Sequence, residues 1–217
     1  MSDFPDTRWS RLLELRDRSS PRYAEQLEGL ARSYWTPAYH YIRALRPHAE
    51  AEDLAQQFFA MLLDRRDLEK LSPERGSFRG FLKTALRHFV LSAERARRPA
   101  GRTFPFDEAE AVFMKTGQGL SPDVAFDREW ARGVMAEAVA RLRSEVGPER
   151  FSLFQDVALG DASYEAAARA RGWSVDDVGN RLREMRARLR ELLRERLRDY
   201  LEPGQDVEAE LRFILGP

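Results

Sequence analysis

The chain has 217 residues, of which 43% are hydrophobic and 33% charged, enough for one large domain or two small ones with a hydrophobic core. It has no cysteine and only three histidines, which excludes disulfides, thiolate zinc sites and a cysteine nucleophile and disfavours a histidine metal cluster. No apolar run reaches the roughly 20 residues that span a bilayer, and Asp3 and Asp6 occupy a start where a signal peptide would be basic and then apolar. We therefore expect a cytoplasmic protein without cofactor, metal or membrane contact.

The formal net charge of zero conceals charges that are segregated along the chain. Residues 87–102 contain five arginines and one acid, and residues 181–198 contain eight arginines and three acids. The acids concentrate elsewhere, for instance around Asp53 and Asp107. Two basic stretches that are separated in sequence favour a protein that contacts nucleic acid at two places.

Helix-forming residues dominate the chain, because Ala, Leu, Arg and Glu are frequent and runs of β-branched residues are short. We predict an all-α protein of two small helical domains joined by a linker. The predicted helices are 23–44, 48–63, 77–98, 127–143, 148–157, 163–171 and 174–200. The corresponding organisation is an N-terminal extension with a short helix (1–22), a first domain (23–98), a linker (99–126), a second domain (127–200) and a C-terminal tail (201–217).

Both ends carry apolar residues outside the two predicted domains. The short N-terminal helix, which we expect to pack on the first domain, is marked by Trp9, Leu12, Leu13 and Leu15. The tail has an apolar patch formed by Val207, Leu211, Phe213, Ile214 and Leu215. This patch suits either a docking helix or a contact for a regulator, and the sequence leaves both open.

Helix 48–63 has one apolar and one polar face. The apolar residues Leu54, Phe58, Met61 and Leu62 recur at helical spacing. Glu50, Asp53 and Gln57 lie away from that stripe. Acids on an exposed helix face can pair with arginines of a partner protein, and a merely solvated face is the alternative.

Helix 77–98 combines cations with aromatic residues. The cations that could replace counterions on a separating nucleic-acid strand are Lys83, Arg87, Arg95, Arg97 and Arg98. The candidate surfaces for an unstacked base are Phe78, Phe81, His88 and Phe89. Because aromatic residues at helical spacing more often belong to a core, the cations are the stronger indication of nucleic-acid binding.

Residues 163–193 have the pattern of a helix-turn-helix. Ser163 caps a short helix, Gly172 ends it where a positive φ is convenient, and Ser174 caps the next helix. Such a pair places its second helix in the major groove of DNA, although a plain helical hairpin would show the same spacing. The residues that we expect to read base edges or phosphates are Ser174, Asp177, Asn180, Arg181, Arg183 and Arg186.

The second domain resembles region 4 of the extracytoplasmic-function (ECF) sigma factors. The family pattern is matched by Tyr164, Glu165, Ala168, Gly172, Val178, Arg181 and Arg186. The chain departs from the pattern at Gly179, where the family commonly has lysine, and glycine inside a helix costs roughly 1 kcal/mol relative to alanine. The resemblance implies that this domain reads the minus-35 promoter element and contacts the β flap of RNA polymerase.

The first domain is similar to region 2 of the same family. Residues 49–65 resemble the region 2.2 helix, which docks on the β′ clamp helices of core polymerase, and the residues carried over are Glu50, Glu52, Asp53, Gln56 and Gln57. Residues 76–98 resemble regions 2.3 and 2.4, which open the minus-ten element, and the residues carried over are Lys83, Arg87, His88, Arg95, Arg97 and Arg98. The family often has tryptophan near Phe81 and asparagine near His88, so the base preference implied here differs.

The resemblance covers nearly the whole chain and extends to a subgroup of the family. The opening TRWS, the phrase SFRGFLKTALRHF and the tail LRDYLEPGQDVEAELRFIL are similar to ECF sigma factors found beside serine/threonine kinases. The resemblance implies binding to core RNA polymerase and promoter DNA. It also implies an anti-sigma factor or a serine/threonine kinase as a regulatory partner, with Thr84 and Ser92 as candidate phosphorylation targets.

Three functions stay open on the sequence. The leading one is a sigma factor that binds core polymerase and directs promoter recognition and melting. The second is a stand-alone helix-turn-helix regulator, which should be dimeric with a palindromic site. The third is a degenerate sigma homologue acting as an interaction protein, which Gly179 and the missing tryptophan would suit. An enzyme is not expected, because the chain has no glycine-rich phosphate loop, nucleophile elbow or paired ligand motif.

Overall fold

The computed structural model of the chain describes residues 15, 17–46, 48–64, 68, 77–97, 120–198, 201 and 206–216. The helices in this part are α1 (Tyr23–Arg43), α2 (His48–Asp64), α3 (Phe78–Arg97), α4 (Pro122–Val146), α5 (Pro148–Phe154), α6 (Tyr164–Arg171), α7 (Val175–Arg198) and α8 (Val207–Leu215), with a π-helical turn (Gln155–Leu159) after α5. No strand occurs among the described residues, and the prediction of an all-α protein is confirmed.

The described residues divide into two compact units. The first unit comprises the described residues up to 131 together with residue 201, and the second comprises 132–198 and 206–216. The division falls inside α4, whose first turns belong to the first unit and whose remainder belongs to the second. The predicted linker lies outside the described residues as far as residue 119.

Helix α4 begins at Pro122 rather than at Asp127, where the sequence pattern placed its start. The hydroxyl of Ser121 accepts a hydrogen bond from the Val124 N–H at 3.3 Å. Proline at the first helical position suits this cap, because its fixed φ is helical and the N–H that it lacks would be unpaired there in any case. The last residues of the predicted linker are therefore helical.

The first unit is built on the packing of α1, α2 and α3 around aromatic side chains. Helix α2 buries residues spaced three and four apart, namely Ala51, Leu54, Ala55, Phe58, Phe59 and Leu62. Across the core, Tyr34 of α1 meets Phe78 of α3 edge-on, with ring centroids 5.2 Å apart. Leu15 is buried as well, whereas the rest of the predicted N-terminal helix lies outside the described residues.

The second unit is centred on α7. Its buried stripe consists of Val178, Leu182, Met185, Leu189, Leu192, Leu193 and Leu197. Helices α5, α6 and α8 pack against this stripe. The tail therefore contains a docking helix, since Leu211 of α8 is buried and Glu208 accepts hydrogen bonds from the Arg194 guanidinium at 2.7 and 3.3 Å. None of the described helices has the length and apolar character needed to cross a bilayer.

Candidate nucleic-acid interface

The polar face of α2 is presented to solvent. Glu52, Asp53, Gln56 and Gln57 are exposed, and Glu50 is half-buried. They share this face because residues three and four apart on a helix point the same way, while the opposite face is sealed in the aromatic core. The five residues predicted to bind core polymerase are thus together on one helix, and four of them are accessible to a partner.

The polar residues of α3 that are predicted to bind the minus-ten strand fall into two groups by exposure. His88 and Arg95 are exposed, whereas Lys83 and Arg87 are half-buried. Lys83 is engaged within the first unit, since its ammonium donates hydrogen bonds to Asp127 at 3.0 and 3.3 Å. The side chain of Arg97 and the whole of Arg98 lie outside the described residues, and their roles stay predictions.

The aromatic residues of α3 contribute mainly to the core. Phe78 is 2% exposed and Phe81 stacks on it with a centroid distance of 5.8 Å. Phe89 meets Phe58 of α2 edge-on at 5.6 Å. Phe81 and Phe89 keep part of their surface accessible and His88 is exposed, so these three, unlike Phe78, could offer a ring face to an unstacked base.

The turn between α6 and α7 is fixed by caps at both sides. The Ser163 hydroxyl accepts a hydrogen bond from the Ala166 N–H at 3.2 Å, which starts α6. Gly172 ends α6 with a φ of 66°, a left-handed conformation that glycine adopts without a steric penalty. Ser174 then caps α7, as its hydroxyl accepts from the Asp177 N–H at 3.0 Å.

Ser174 and Asp177 are partners in this cap. The Ser174 hydroxyl and backbone N–H both donate to the Asp177 carboxylate, at 2.7 and 3.3 Å. These hydrogen bonds, the one from the side chain foremost, lower the pKa of Asp177 below its usual range. Both residues therefore have a structural role at the start of α7, and their contact with DNA stays a prediction.

The first arginines of α7 contact uncharged groups, and, after the Ser174 hydrogen bonds, the charge of Arg181 also helps to lower the pKa of the nearby Asp177. The Arg181 guanidinium lies 4.3 Å from the centre of the Trp173 ring. Arg183 donates to the Asn180 side chain at 2.9 Å, and Arg186 donates to the hydroxyl of Tyr164 at 2.9 Å. None of these three contacts pairs an arginine with a carboxylate. Sequence reasoning missed the supporting role of Trp173, although an aromatic residue in the turn was the signal for it.

Three of the later arginines of α7 pair with carboxylates instead. Arg188 donates to Glu145 of α4 at 2.7 and 2.9 Å and to Glu195 at 3.0 Å, and these contacts, those with Glu145 foremost, raise its pKa. Further along, Arg194 pairs with Glu208 and Arg196 with Glu137. Three of the later arginines of α7 are thus paired with carboxylates, whereas its first three arginines contact uncharged groups.

Metal binding has no candidate in the described part of the chain, where no three His, Asp or Glu side chains are grouped to hold an ion.

Comparison with protein families shows that residues 22–99 match Sigma-70 region 2, a segment that contains α1, α2 and α3. Neither the curated proteins nor the solved structures gave a match. Sigma factors are non-enzymatic transcription initiation factors. The chain therefore carries a sigma-70 region 2 domain, which supports its place in the sigma factor family and a role in RNA polymerase binding and promoter recognition.

Proposed function

We propose that the chain is an ECF-type sigma factor that recruits core RNA polymerase to promoters and assists in opening them. The observation that carries this proposal is the region 2 match, because the matched segment contains both the exposed polar face of α2 and the cations of α3. In this proposal the α2 face docks on the β′ clamp helices. Helix α3 then receives the non-template strand of the minus-ten element.

The second unit completes the proposal as a region 4 domain. Helices α6 and α7 form its helix-turn-helix, with α7 entering the major groove of the minus-35 element. The support for this assignment is the group of Arg181, Arg183 and Arg186 near the start of α7, which contact uncharged groups rather than carboxylates. Because the two weak DNA-binding units are tethered in one chain, their combined binding to a promoter is tighter and more specific than that of either unit.

Regulation by a serine/threonine kinase or an anti-sigma factor is part of the proposal. Thr84 and Ser92 are exposed on α3, where a kinase could reach their hydroxyls. A phosphate at either position would add negative charge to a helix that is proposed to bind an anionic strand. Phosphorylation there should therefore weaken DNA binding.

Binding to immobilised core polymerase tests the docking face. Asp53→Arg presents a cation to the arginines of the partner, and since like charges cost several kcal/mol across an interface, the affinity should fall about a hundredfold or more. Glu25→Arg is the matched control, because Glu25 is exposed on a different helix, α1, and its substitution makes the same kind of charge reversal. Thermal unfolding should be unchanged in both variants. Equal affinity of Asp53→Arg and the wild type would overturn the docking assignment.

Core binding, binding of double-stranded DNA and run-off transcription together separate the two other functions. A stand-alone regulator would bind double-stranded DNA and leave core polymerase unbound. A degenerate sigma homologue would bind core without giving transcripts. Gly179, which removes one side chain from the beginning of α7, and the missing tryptophan near Phe81 are the features that favour the degenerate homologue.

A further inference from the structure

The first turns of α4 are anchored in the first unit beside α3. Phe126 is fully buried, and its ring stacks on Tyr34 with a centroid distance of 6.4 Å and meets Tyr41 edge-on at 6.5 Å. Trp130, one turn further along, is 3% exposed. Two large aromatic side chains that are removed from water hold this part of α4 in place. These turns are therefore a packed element of the first unit.

Asp127 lies between the two aromatic anchors and contacts the cations of α3. Its carboxylate oxygens lie 3.0 Å from the Lys83 ammonium and 3.6 Å from the Arg79 guanidinium. Asp123, one turn earlier, is 4.0 Å from Lys83. Arg79 also lies 4.2 Å above the ring of Trp130. Because the Lys83, Arg79 and Asp127 side chains are only 20–23% exposed, these pairs are shielded better than ordinary surface pairs.

We propose that residues 122–131 compete with a nucleic-acid strand for the basic face of α3 that Arg79 and Lys83 form. Lys83 is already paired with the Asp127 carboxylate, so a phosphate that approaches Lys83 is repelled by that carboxylate. The strand binds at this face only after the start of α4 has left it. The free chain is thereby kept from binding nucleic acid non-specifically. This inference rests on the proposed function, since it takes α3 as the strand-binding surface.

Fluorescence anisotropy with a labelled single-stranded DNA oligonucleotide of mixed sequence tests the competition in the full chain. Asp127→Asn keeps the shape of the side chain and removes its charge, so the affinity should rise by about three- to tenfold, as expected for the loss of a partly buried ion pair. Asp161→Asn is the matched control, because Asp161 is exposed before α6 and its substitution changes the net charge equally. Lys83→Ala in the Asp127→Asn chain should remove the gain.

Hydrogen exchange of the wild-type chain provides a measurement that needs no variant. Addition of the oligonucleotide should increase exchange of the backbone amides of residues 122–131, because the strand displaces this segment. Unchanged or slower exchange would overturn the inference. The same holds if Asp127→Asn and Asp161→Asn bind the strand equally, or if neither binds it. Failure of the wild-type chain to bind core polymerase would instead overturn the proposed function.

Discussion

The guanidinium of Arg181 lies over the ring of Trp173, 4.3 Å from its centre, so the residue that makes the turn also holds an arginine at the beginning of α7. A cation above an indole face is attracted by the ring quadrupole and loses rotamer freedom. In the proposed region 4 domain this contact orders Arg181 before DNA arrives. Trp173 is therefore a positioning residue, and Arg181 is the group that would contact the DNA.

Removal of the Trp173 ring should weaken DNA binding through Arg181. The contact is worth about 0.5–1 kcal/mol at exposed sites, so Trp173→Ala should lower the affinity for promoter DNA by roughly two- to fivefold. Trp173→Phe keeps an aromatic ring and should therefore lose less affinity for promoter DNA. Anisotropy of labelled promoter DNA, in a double-mutant cycle with Arg181→Ala, measures the coupling. Strictly additive losses would show that the two residues act separately.

Gly179 should be replaceable with a gain in stability. A Cβ at this position would lie 3.9 Å from the Tyr164 ring, which is ordinary van der Waals contact. Gly179→Ala should therefore raise the free energy of unfolding by about 0.5–1 kcal/mol, because it removes glycine from a helix interior. The contrasting variant is Gly172→Ala, which should lower the free energy of unfolding by roughly 1–2 kcal/mol, because the left-handed φ at position 172 is strained for alanine. Urea denaturation measures both, and a loss of stability in Gly179→Ala would contradict the expectation.

Acid should destabilise the second unit through carboxyl groups that are hydrogen-bonded in the folded chain. Arg188, Ser174 and Arg194 are the foremost causes that lower the pKa values of Glu145, Asp177 and Glu208, respectively. A lowered folded pKa means that the unfolded chain binds protons more readily. The stabilising contribution is therefore complete above the unfolded pKa of 3.8 for Asp or 4.5 for Glu and is lost as the pH falls through the folded value.

Ser174→Ala isolates one of these contributions. It removes the side-chain hydrogen bond that lowers the Asp177 pKa most, so the decline of the unfolding midpoint between about pH 5 and pH 2 should be shallower than in the wild type. Ser144→Ala is the control, because the Ser144 hydroxyl donates to the backbone carbonyl of Arg141 and touches no carboxylate. Thermal unfolding at a series of pH values gives the slopes. Parallel slopes for wild type and Ser174→Ala would refute this origin of the acid sensitivity.

Two arginines of α7 should have opposite phenotypes although they are five positions apart in one basic stretch. Arg183→Ala should leave the thermal midpoint unchanged and reduce the salt dependence of DNA binding by about one counterion. Arg188→Ala should lower the thermal midpoint, because it breaks the pairs with Glu145 and Glu195, and should affect DNA affinity little. Salt titrations of DNA binding and thermal melts test both. Equal loss of DNA affinity in the two variants would contradict the division of α7.

Periodicity was enough to predict the existence of α1 to α7 and the buried face of α2. Leu54, Phe58 and Leu62 of α2 are buried as the spacing predicts, and the exposed polar residues lie opposite. Local capping rules likewise predict both caps of α6 and the start of α7, because the hydrogen bonds involved join residues close in sequence. The boundary of α4 was harder to place, since Ser121 and Pro122 fit a loop as well as a helix start.

Long-range partners could not be predicted, and they decide which charges are available. Arg183 and Arg188 are the same residue type in the same helix, yet the acid that neutralises Arg188 lies 43 residues away on α4. Lys83 meets Asp127 at a sequence separation of 44. No local pattern encodes these pairs, because they depend on how the helices pack. Sequence reasoning therefore found the basic stretches but could not divide them into paired and available cations.

Run-off transcription tests the central claim most directly. Purified core polymerase would be incubated with fragmented genomic DNA in the presence of the chain, of its Asp53→Arg variant, or of neither. We expect promoter-specific transcripts only with the wild-type chain, starting downstream of two shared, spaced sequence elements. Absence of specific transcripts with a chain that is folded and bound to core would contradict the assignment as a sigma factor.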